Sequence, residues 1–529
     1  MSVLTGTGAL ARLIVRRDRL LLPVWGLLAA VYPASIASST AALYPTAEDL
    51  HGAADAATAN LSQVATRGPV FEASVGGLTA YTVSSAGAML LGLVSMLLVI
   101  RHSRVEEESG RRELVGAGAV GRHAPLTAVL AVVLAANLVI AVLMAGALIG
   151  AGLPASGSCA LALSLAAAGW TFAAVGAVTA QLTQSAVAAR GMGVAVFIAF
   201  FLIRAVGDVG GAAWLSWMSP LGWTARTRAF ADERWWVLLL LLALVVLLAG
   251  IAYRLSARRD LAAGSLPARL GPSAAAPGLR SALALAWRLH RGQLLGWTAG
   301  FAVGGLALGG AVSGEIEEQI EAPQIMEMIA RVGAGDAEPV DFFVNYLLSM
   351  LAWIVAAYGI LSALRLRTEE TEGRADLLLA TPTSRVRWAL GHLVMAVTGQ
   401  AAALIALGAG AGFAYGASSG DLGKLPLVLG AALAYLPAVW AMTGIAVLLA
   451  GLLPRLSMAA WGIWVVFILL DVFGMLGQVD ESVLVVIPFV HVPWVVLGQV
   501  TVAPLVLLSA VAAALGAVGL AGLHRRDIA

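Results

Sequence analysis

The chain has 529 residues, of which 60% are apolar and only 12% charged, and its mean hydropathy is +0.90. A soluble chain of that length needs far more charge to cover its surface, so the composition predicts an all-α polytopic membrane protein solvated mainly by the lipid bilayer. A net charge of +2 says little by itself and nucleic acid is not an expected partner, while one cysteine, Cys159, excludes a disulfide framework and a cysteine-based zinc site.

The first predicted element is an amphipathic stretch, with Leu10, Leu13 and Ile14 on one side and Arg12, Arg16 and Arg17 on the other, lying in the membrane interface before Trp25. The apolar run from Leu22 to Ser38 follows without a small-residue cleavage signal, so it reads as a retained first span. Stretches long enough to cross a bilayer then recur near 20–40, 80–100, 125–151, 159–182, 190–211 and 235–253. A second set lies near 294–313, 345–364, 388–416, 427–452, 457–478 and 499–522. About twelve spans are thus predicted, as two six-span halves over 1–260 and 286–529. Between them, 261–285 is rich in Gly, Pro, Ser and Ala and is predicted to be a flexible connector.

One charged stretch in each half breaks the apolar pattern. Arg104-x-Glu106-Glu107-x-x-Gly110-Arg111-x-Glu113-Leu114, within 101–124, returns 263 residues later as Arg367-x-Glu369-Glu370-x-x-Gly373-Arg374-x-Asp376-Leu377, within 365–387. Both copies end alike, at Arg122 and Arg385, and each half closes on Arg-Arg-Asp, at 258–260 and 525–527. Such self-similarity marks a duplication. Glu107–Arg111 and Glu370–Arg374 stand at i,i+4 in the favoured order, which predicts a short charged surface helix with Leu114 and Leu377 as apolar anchors. A solvated loop helix is the plainer reading of a single copy; repetition in register favours a function. No His or Cys partner recurs at matching positions, which weighs against catalysis by the carboxylates.

Basic residues set the predicted orientation. With the N-terminus in the cytoplasm, 25 of the 32 Lys and Arg fall on that side, including both charged stretches. The C-terminus then returns to the cytoplasm, the expected membrane is the plasma (inner) membrane, and the halves are parallel repeats.

Three charges sit inside predicted spans: Arg204 and Asp208 in the fifth, and Asp471 in the eleventh. Burying any of them alone would cost several kcal/mol, on the order expected of a charge in hydrocarbon, so partners are required. Two readings stand: a local Arg204–Asp208 pair with Asp471 reaching water, or an Arg204–Asp471 pair holding an outer gate shut. Trp214, Trp217 and Trp223 before the sixth span and Trp494 before the twelfth read as interfacial anchors or as the aromatic rim of an exit gate. The acidic run Glu315, Glu317, Glu318, Glu321 and Glu327 reads as a solvated face without a ligand.

The interfacial opening helix, the E-E-x-x-G-R-x-[ED]-L stretch after the second span of each half, the Ser219-Pro220-Leu221-Gly222-Trp223 turn and the closing Arg-Arg-Asp together resemble the membrane subunits of type-2 ABC exporters. Among these, the chain is similar to the fused twelve-span actinobacterial permeases of the polyketide-antibiotic and tetronasin-resistance type. The resemblance covers nearly the whole chain and implies two six-helix halves about a pseudo-twofold axis. It also implies that each charged helix is a coupling helix seated on a separate ATP-binding subunit. Residue chemistry agrees, because a P-loop needs Gly-Lys-[Ser/Thr] and the single lysine, Lys424, stands in Gly-Lys-Leu. The expected assembly is one permease chain with two ATPase copies that carry ATP and Mg, no cofactor in this chain, no catalytic residue and no need of a self-dimer. The expected cargo is a lipophilic small molecule moved outward; lipid or glycolipid precursors and a proton-coupled multidrug antiporter are the alternatives.

Overall fold

The computed structural model describes residues 2–526 apart from 60, 117, 261–262, 267–272, 312–338, 476–478 and 499. The acidic run from Glu315 to Glu327 and the final Asp527-Ile528 lie outside the described residues. What is described is helical, with short 3-10 turns, one π turn and no strand. Hydrocarbon cannot satisfy a bare backbone, and a helix satisfies its own. The chain is an all-α polytopic membrane protein.

Long helices stand at all twelve predicted places: Leu21–Leu43, Val75–Ile100, Ala124–Gly150, Ala155–Leu182, Ala186–Val209 and Trp236–Arg258, then Ala282–Ala311, Pro339–Thr371, Arg385–Ser419, Lys424–Leu452, Ala459–Met475 and Val502–Arg525. They are called helices one to twelve below. Among the described residues ten of them are long and apolar enough to cross a membrane, so the expectation of about twelve full spans is corrected at two places. Helix eleven has only 17 residues. Helix seven has 30, but its first third carries Arg288, His290 and Arg291. The stretch of Leu283, Leu285, Trp287 and Leu289 with Arg288 and Arg291, whose sequence predicts a second interfacial helix before Trp297, has fused with the span that follows it. In the first half the two remain separate, because the helix Thr7–Arg17 ends at Asp18 before helix one begins.

Several helices outrun the bilayer. Helix nine, at 35 residues, measures about 52 Å at about 1.5 Å per residue, against a hydrocarbon layer of about 30 Å. Helix eight, with 33 residues, likewise carries the charged positions 365–370 beyond the apolar layer. The charged stretches are therefore continuations of span helices, held by the same backbone hydrogen bonds.

The chain divides into two compact units, Met1–Gly271 and Pro272–Ala529. Within the first, helix four is the central element, packed on helices two, three and six, with helix one on helix three. Within the second, helix ten packs on eight and twelve, and helix seven on nine. The pairs one–three, two–four and four–six thus recur as seven–nine, eight–ten and ten–twelve. Small residues permit these approaches where lipid provides no hydrophobic drive. A Cβ on Gly451 of helix ten would collide with the backbone of Gly519 in helix twelve, and one on Gly305 of helix seven with the backbone of Leu407 in helix nine. Backbone cannot swing aside as a side chain does, so Gly451→Leu is expected to cost at least the ~1–3 kcal/mol of an overpacked core. Fluorescence-detected size exclusion should show a fall in monodisperse protein, whereas Gly462→Leu, at an open position, should leave the profile unchanged.

Candidate functional site: paired charged elbows with exposed tips

In the first half, helix two continues through the π turn Arg101–Val105 and Glu106–Glu108 until Gly110 stops it. Gly110 has φ 72° and Gly373 has φ 68°, left-handed values that a residue with a Cβ rarely adopts. A short helix follows each glycine, Arg111–Gly116 and Arg374–Leu379. The predicted single charged helix is thus an elbow with two arms. This break also corrects the predicted pairing: Arg111 lies 3.7 Å from Glu106, and Arg374 Nε bonds Glu369 at 2.9 Å, rather than reaching Glu107 and Glu370. The i,i+4 rule holds only along a continuous helix.

Glu107 and Glu370 are buried and turned inward. Glu107 receives Arg104 at 2.9 Å, Arg259 at 2.8 Å and Arg112. Arg104 is itself buried and donates to the carbonyl of Ala180 at the end of helix four, at 2.8 Å from Nε, and to that of Ala263. Glu370 receives Arg367 at 3.0 Å and Arg526 at 2.5 and 2.7 Å. Arg122 donates to the carbonyl of Ala257 at 2.5 Å, and Arg385 to that of Arg526 at 2.5 Å. In each half, then, the elbow and the start of the next span grip the end of the last helix. Burial and the neighbouring Arg259 and Arg104 cations push Arg112 down to about 10, while its hydrogen bond to Glu369 raises Arg374.

Sequence reasoning names the charged members of this clamp other than Arg112, and not their partnership. The closing Arg259 and Arg526 were recognised as a signature and Glu107 and Glu370 as part of another; the signal joining them is that both recur, once per half, at almost the same offset. Residues 263–266, predicted as connector, also run along the first half, with Ser265 N–H bonded to Gln181 O at 3.1 Å and Leu266 N–H to Leu182 O at 2.9 Å.

The outer arms are the opposite. Leu114 is 80% exposed and Leu377 76%, so neither anchors its own chain as expected. Arg111 and Glu113 flank the first and Arg374 and Asp376 the second, all exposed. Each half therefore presents the same basic, acidic and apolar tip to solvent on a braced elbow. First-half bracing includes the opening helix: Arg17 pairs with Glu106, and Asp18 holds His102 at 2.5 Å and Arg101 at 3.2 Å. The second half has instead a buried pair, His290 and His392, at 2.9 Å.

The intramembrane charges find partners within their own halves. Arg204 lies 3.7 Å from Asp208 and donates to the carbonyls of Ala65 at 2.7 Å and Thr66 at 2.8 Å, at the end of the short helix Leu61–Arg67. Asp208 also accepts from Ser216 at 2.6 Å and from Arg226 at 3.3 Å. Asp471 accepts the indole N–H of Trp353 at 2.8 Å. Arg204→Leu is expected to strip that short helix of its cap and abolish folded protein on a gel-filtration assay, while Asp471→Asn, which still accepts from Trp353, should fold.

Of the aromatic candidates, Trp217 stacks on Trp236 with centroids 5.5 Å apart, Trp223 donates to Trp217 O at 2.6 Å, and Trp494 stacks on Phe342 at 5.1 Å. These three pack within the short helices and turns at the ends of the spans remote from the elbows. Trp214 is exposed, together with Trp235 and Trp236. Lys424 is engaged with Asp341, at 3.1 Å to each carboxylate oxygen.

Comparison with known proteins gives a consistent result. The family described as "Multidrug efflux system permease Rv1217c, C-terminal domain" matches residues 279–524, the second half. Over 528 residues the chain is 41% identical to the "Multidrug efflux system permease protein Rv1217c" of Mycobacterium tuberculosis (strain ATCC 25618 / H37Rv), covering 99% of this chain and 95% of the relative. With its polytopic helical fold and its match along almost the whole length, the chain belongs to the family of the Rv1217c multidrug efflux system permease.

Proposed function

We propose that this chain is the membrane permease subunit of an ATP-driven exporter of the type-2 ABC class, moving a hydrophobic or amphipathic compound such as an antibiotic, drug or polyketide outward across the plasma membrane. Two copies of a separate ATP-binding subunit, carrying ATP and Mg, dock on the two elbows from the cytoplasm, where both chain termini lie. The chain itself hydrolyses nothing and needs no second copy. The observation that carries this reading is the matched pair of exposed tips, Arg111-x-Glu113-Leu114 and Arg374-x-Asp376-Leu377, each on an elbow whose remaining charges are consumed internally. An exposed leucine ringed by charge at two equivalent places fits a protein contact repeated twice. Recurrence of the same helix pairs in both halves supports the duplication, and ATP-driven closure of the docked subunits would tilt each elbow with the span helix it continues. Pull-down from native membranes tests the reading: a soluble ATPase should co-purify, with activity stimulated by lipophilic drugs, and its absence would overturn the proposal.

A second reading rests on Asp471. This carboxylate lies in helix eleven with an indole N–H as its hydrogen-bond donor and, among the described residues of its own half, no cation paired to it, the position a proton-coupled antiporter would use. Efflux abolished by a protonophore at constant cellular ATP, and by Asp471→Asn, would favour it; efflux that tracks ATP alone would remove it.

A further inference from the structure

The two halves differ in kind at one place, where the outer arm of each elbow meets the span helices. In the second half Ala375, Trp388 and Leu523 are buried in one apolar cluster, and Leu379 packs against it. The matching residues of the first half are Arg112, Gly116, Pro125 and Ser256. The first three stand at the common offset of 263, and Ser256 at the offset of 267 that also relates Arg259 to Arg526. All four instead line an open cleft of about 430 Å³, with Glu107, Arg122, Arg259 and Asp260 among its other walls. An apolar plug closes the equivalent space in the second half, so the shared fold does not require an opening here.

The cleft is also left positive. Arg112, Arg122 and Arg259 line it against Glu107 and Asp260, and Glu107 is already shared with Arg104. Arg122 is exposed and uses only Nη2 on main-chain carbonyls, those of Ser256, Ala257 and Arg259. Among the described residues its Nε and Nη1 make no hydrogen bond, and no carboxylate pairs with it. Arg112 gives Nη1 to Glu107 and keeps 14% of its side-chain surface exposed. A guanidinium presents its donors in a planar fork that matches the oxygens of a phosphate. Pro125 lies in the first turn of helix three and Ser256 in the last turn of helix six, so the cleft stands at the membrane surface on the elbow side. Lipid headgroups and soluble phosphates both reach that level.

From this arrangement we infer that the cleft binds a phosphate-bearing anion, either the headgroup of an anionic lipid or a soluble phosphate compound, with Arg112, Arg122 and Arg259 supplying the positive charge. The volume suits such a group, since ligand pockets run from about 300 to about 1,000 Å³, and basic pockets between helix ends are where anionic headgroups lodge. A bound phosphate ties the outer arm of the elbow to the turn before helix three, a link that apolar packing makes in the second half. Occupancy thus sets how stiffly the first tip is held. The inference goes beyond the exporter reading and does not rest on it.

Thermal melting of the purified chain in phosphatidylcholine nanodiscs tests the inference without the ATPase. The probes are inorganic phosphate, set against chloride at equal ionic strength, and phosphatidylglycerol added to the nanodisc. At least one should raise the melting temperature by about 3 °C or more, on the order expected of a ligand well above its dissociation constant. A gain from phosphatidylglycerol alone identifies a lipid headgroup as the occupant; a gain from inorganic phosphate identifies a soluble phosphate. The gain should be lost in the double variant Arg112→Ala with Gly116→Leu, which copies the second half and so introduces residues that the shared fold already accommodates. It should be lost as well in Gly116→Glu, which sets a carboxylate at a position with open space around it. No gain from either probe, or a gain of unchanged size in both variants, would overturn the site and leave the exporter reading intact. A chain that shows the gain and its loss but co-purifies with no ATPase would sink the exporter reading and leave the site.

Discussion

A permease carrying Leu114→Asp and Leu377→Asp is expected to purify as a folded, monodisperse protein and to have lost its ATP-binding subunits. Both leucines are largely exposed and lie beyond the glycine that ends each buried arm, so the fold gains nothing from them. A partner would gain about 1.5–3 kcal/mol from burying each, roughly a 10- to 100-fold change in affinity per site, before the cost of placing a carboxylate there. Co-purification and drug-stimulated ATPase activity should both disappear in the double variant. Either single variant should retain one subunit, and comparing the two would measure whether the halves couple equally. Undiminished co-purification in the double variant would show that the tips are not the docking surface. The tips are better test positions than Glu107 and Glu370, where charge reversal breaks the fold and the docking together.

What the sequence made legible follows from which constraints act locally. A span must supply about 20 apolar residues whatever it packs against, so all twelve helices stand near their predicted places. Helix seven escaped because a junction of Gln293 and Gly292 with the apolar run gives no signal to stop, unlike Asp18 at the end of the first opening helix. The elbows were legible as motifs and misread as geometry: a continuous helix puts Glu107 beside Arg111, and only the left-handed Gly110 takes them apart. Partners 152 and 156 residues away, Arg259 for Glu107 and Arg526 for Glu370, obey no helical period and come together only when helices two and six pack on helix four, and helices eight and twelve on helix ten. Arg204 shows both sides, since the i,i+4 partner Asp208 was readable while the carbonyls of Ala65 and Thr66 were not.

The two halves use one plan with unequal materials. First-half bracing gathers Arg104, Arg112 and Arg259 on a single carboxylate and adds the opening helix through Arg17 and Asp18. Second-half bracing has Arg367 and Arg526 on Glu370, with Ala375 buried at the position matching Arg112. Ordinary hydrogen bonds hold its next span, where Ser384 Oγ caps Arg387 N–H at 3.2 Å. The first elbow is therefore the more heavily cross-linked of the two levers on which the proposed ATPases would dock.

That inequality gives the second large effect, at Glu107. Removing one partner of a buried ion pair leaves the others uncompensated and costs about 3–5 kcal/mol. Glu107→Ala strands three cations, Arg104, Arg112 and Arg259, whereas Glu370→Ala strands two that are partly exposed, Arg367 and Arg526. Thermal melts of the purified chain should therefore fall further for Glu107→Ala than for Glu370→Ala. Burial first, and then the neighbouring Arg259 and Arg104 cations, depress Arg112 to about 10, so it stays charged at neutral pH. Adding Arg112→Ala to Glu107→Ala removes one stranded cation from the cluster and should recover part of the lost melting temperature; the matching Glu370→Ala and Arg526→Ala pair should recover less, because two cations rather than three share Glu370. Equal losses at the two glutamates, or no recovery with Arg112→Ala, would mean that the carboxylates merely fill space and that helix packing alone holds the elbows.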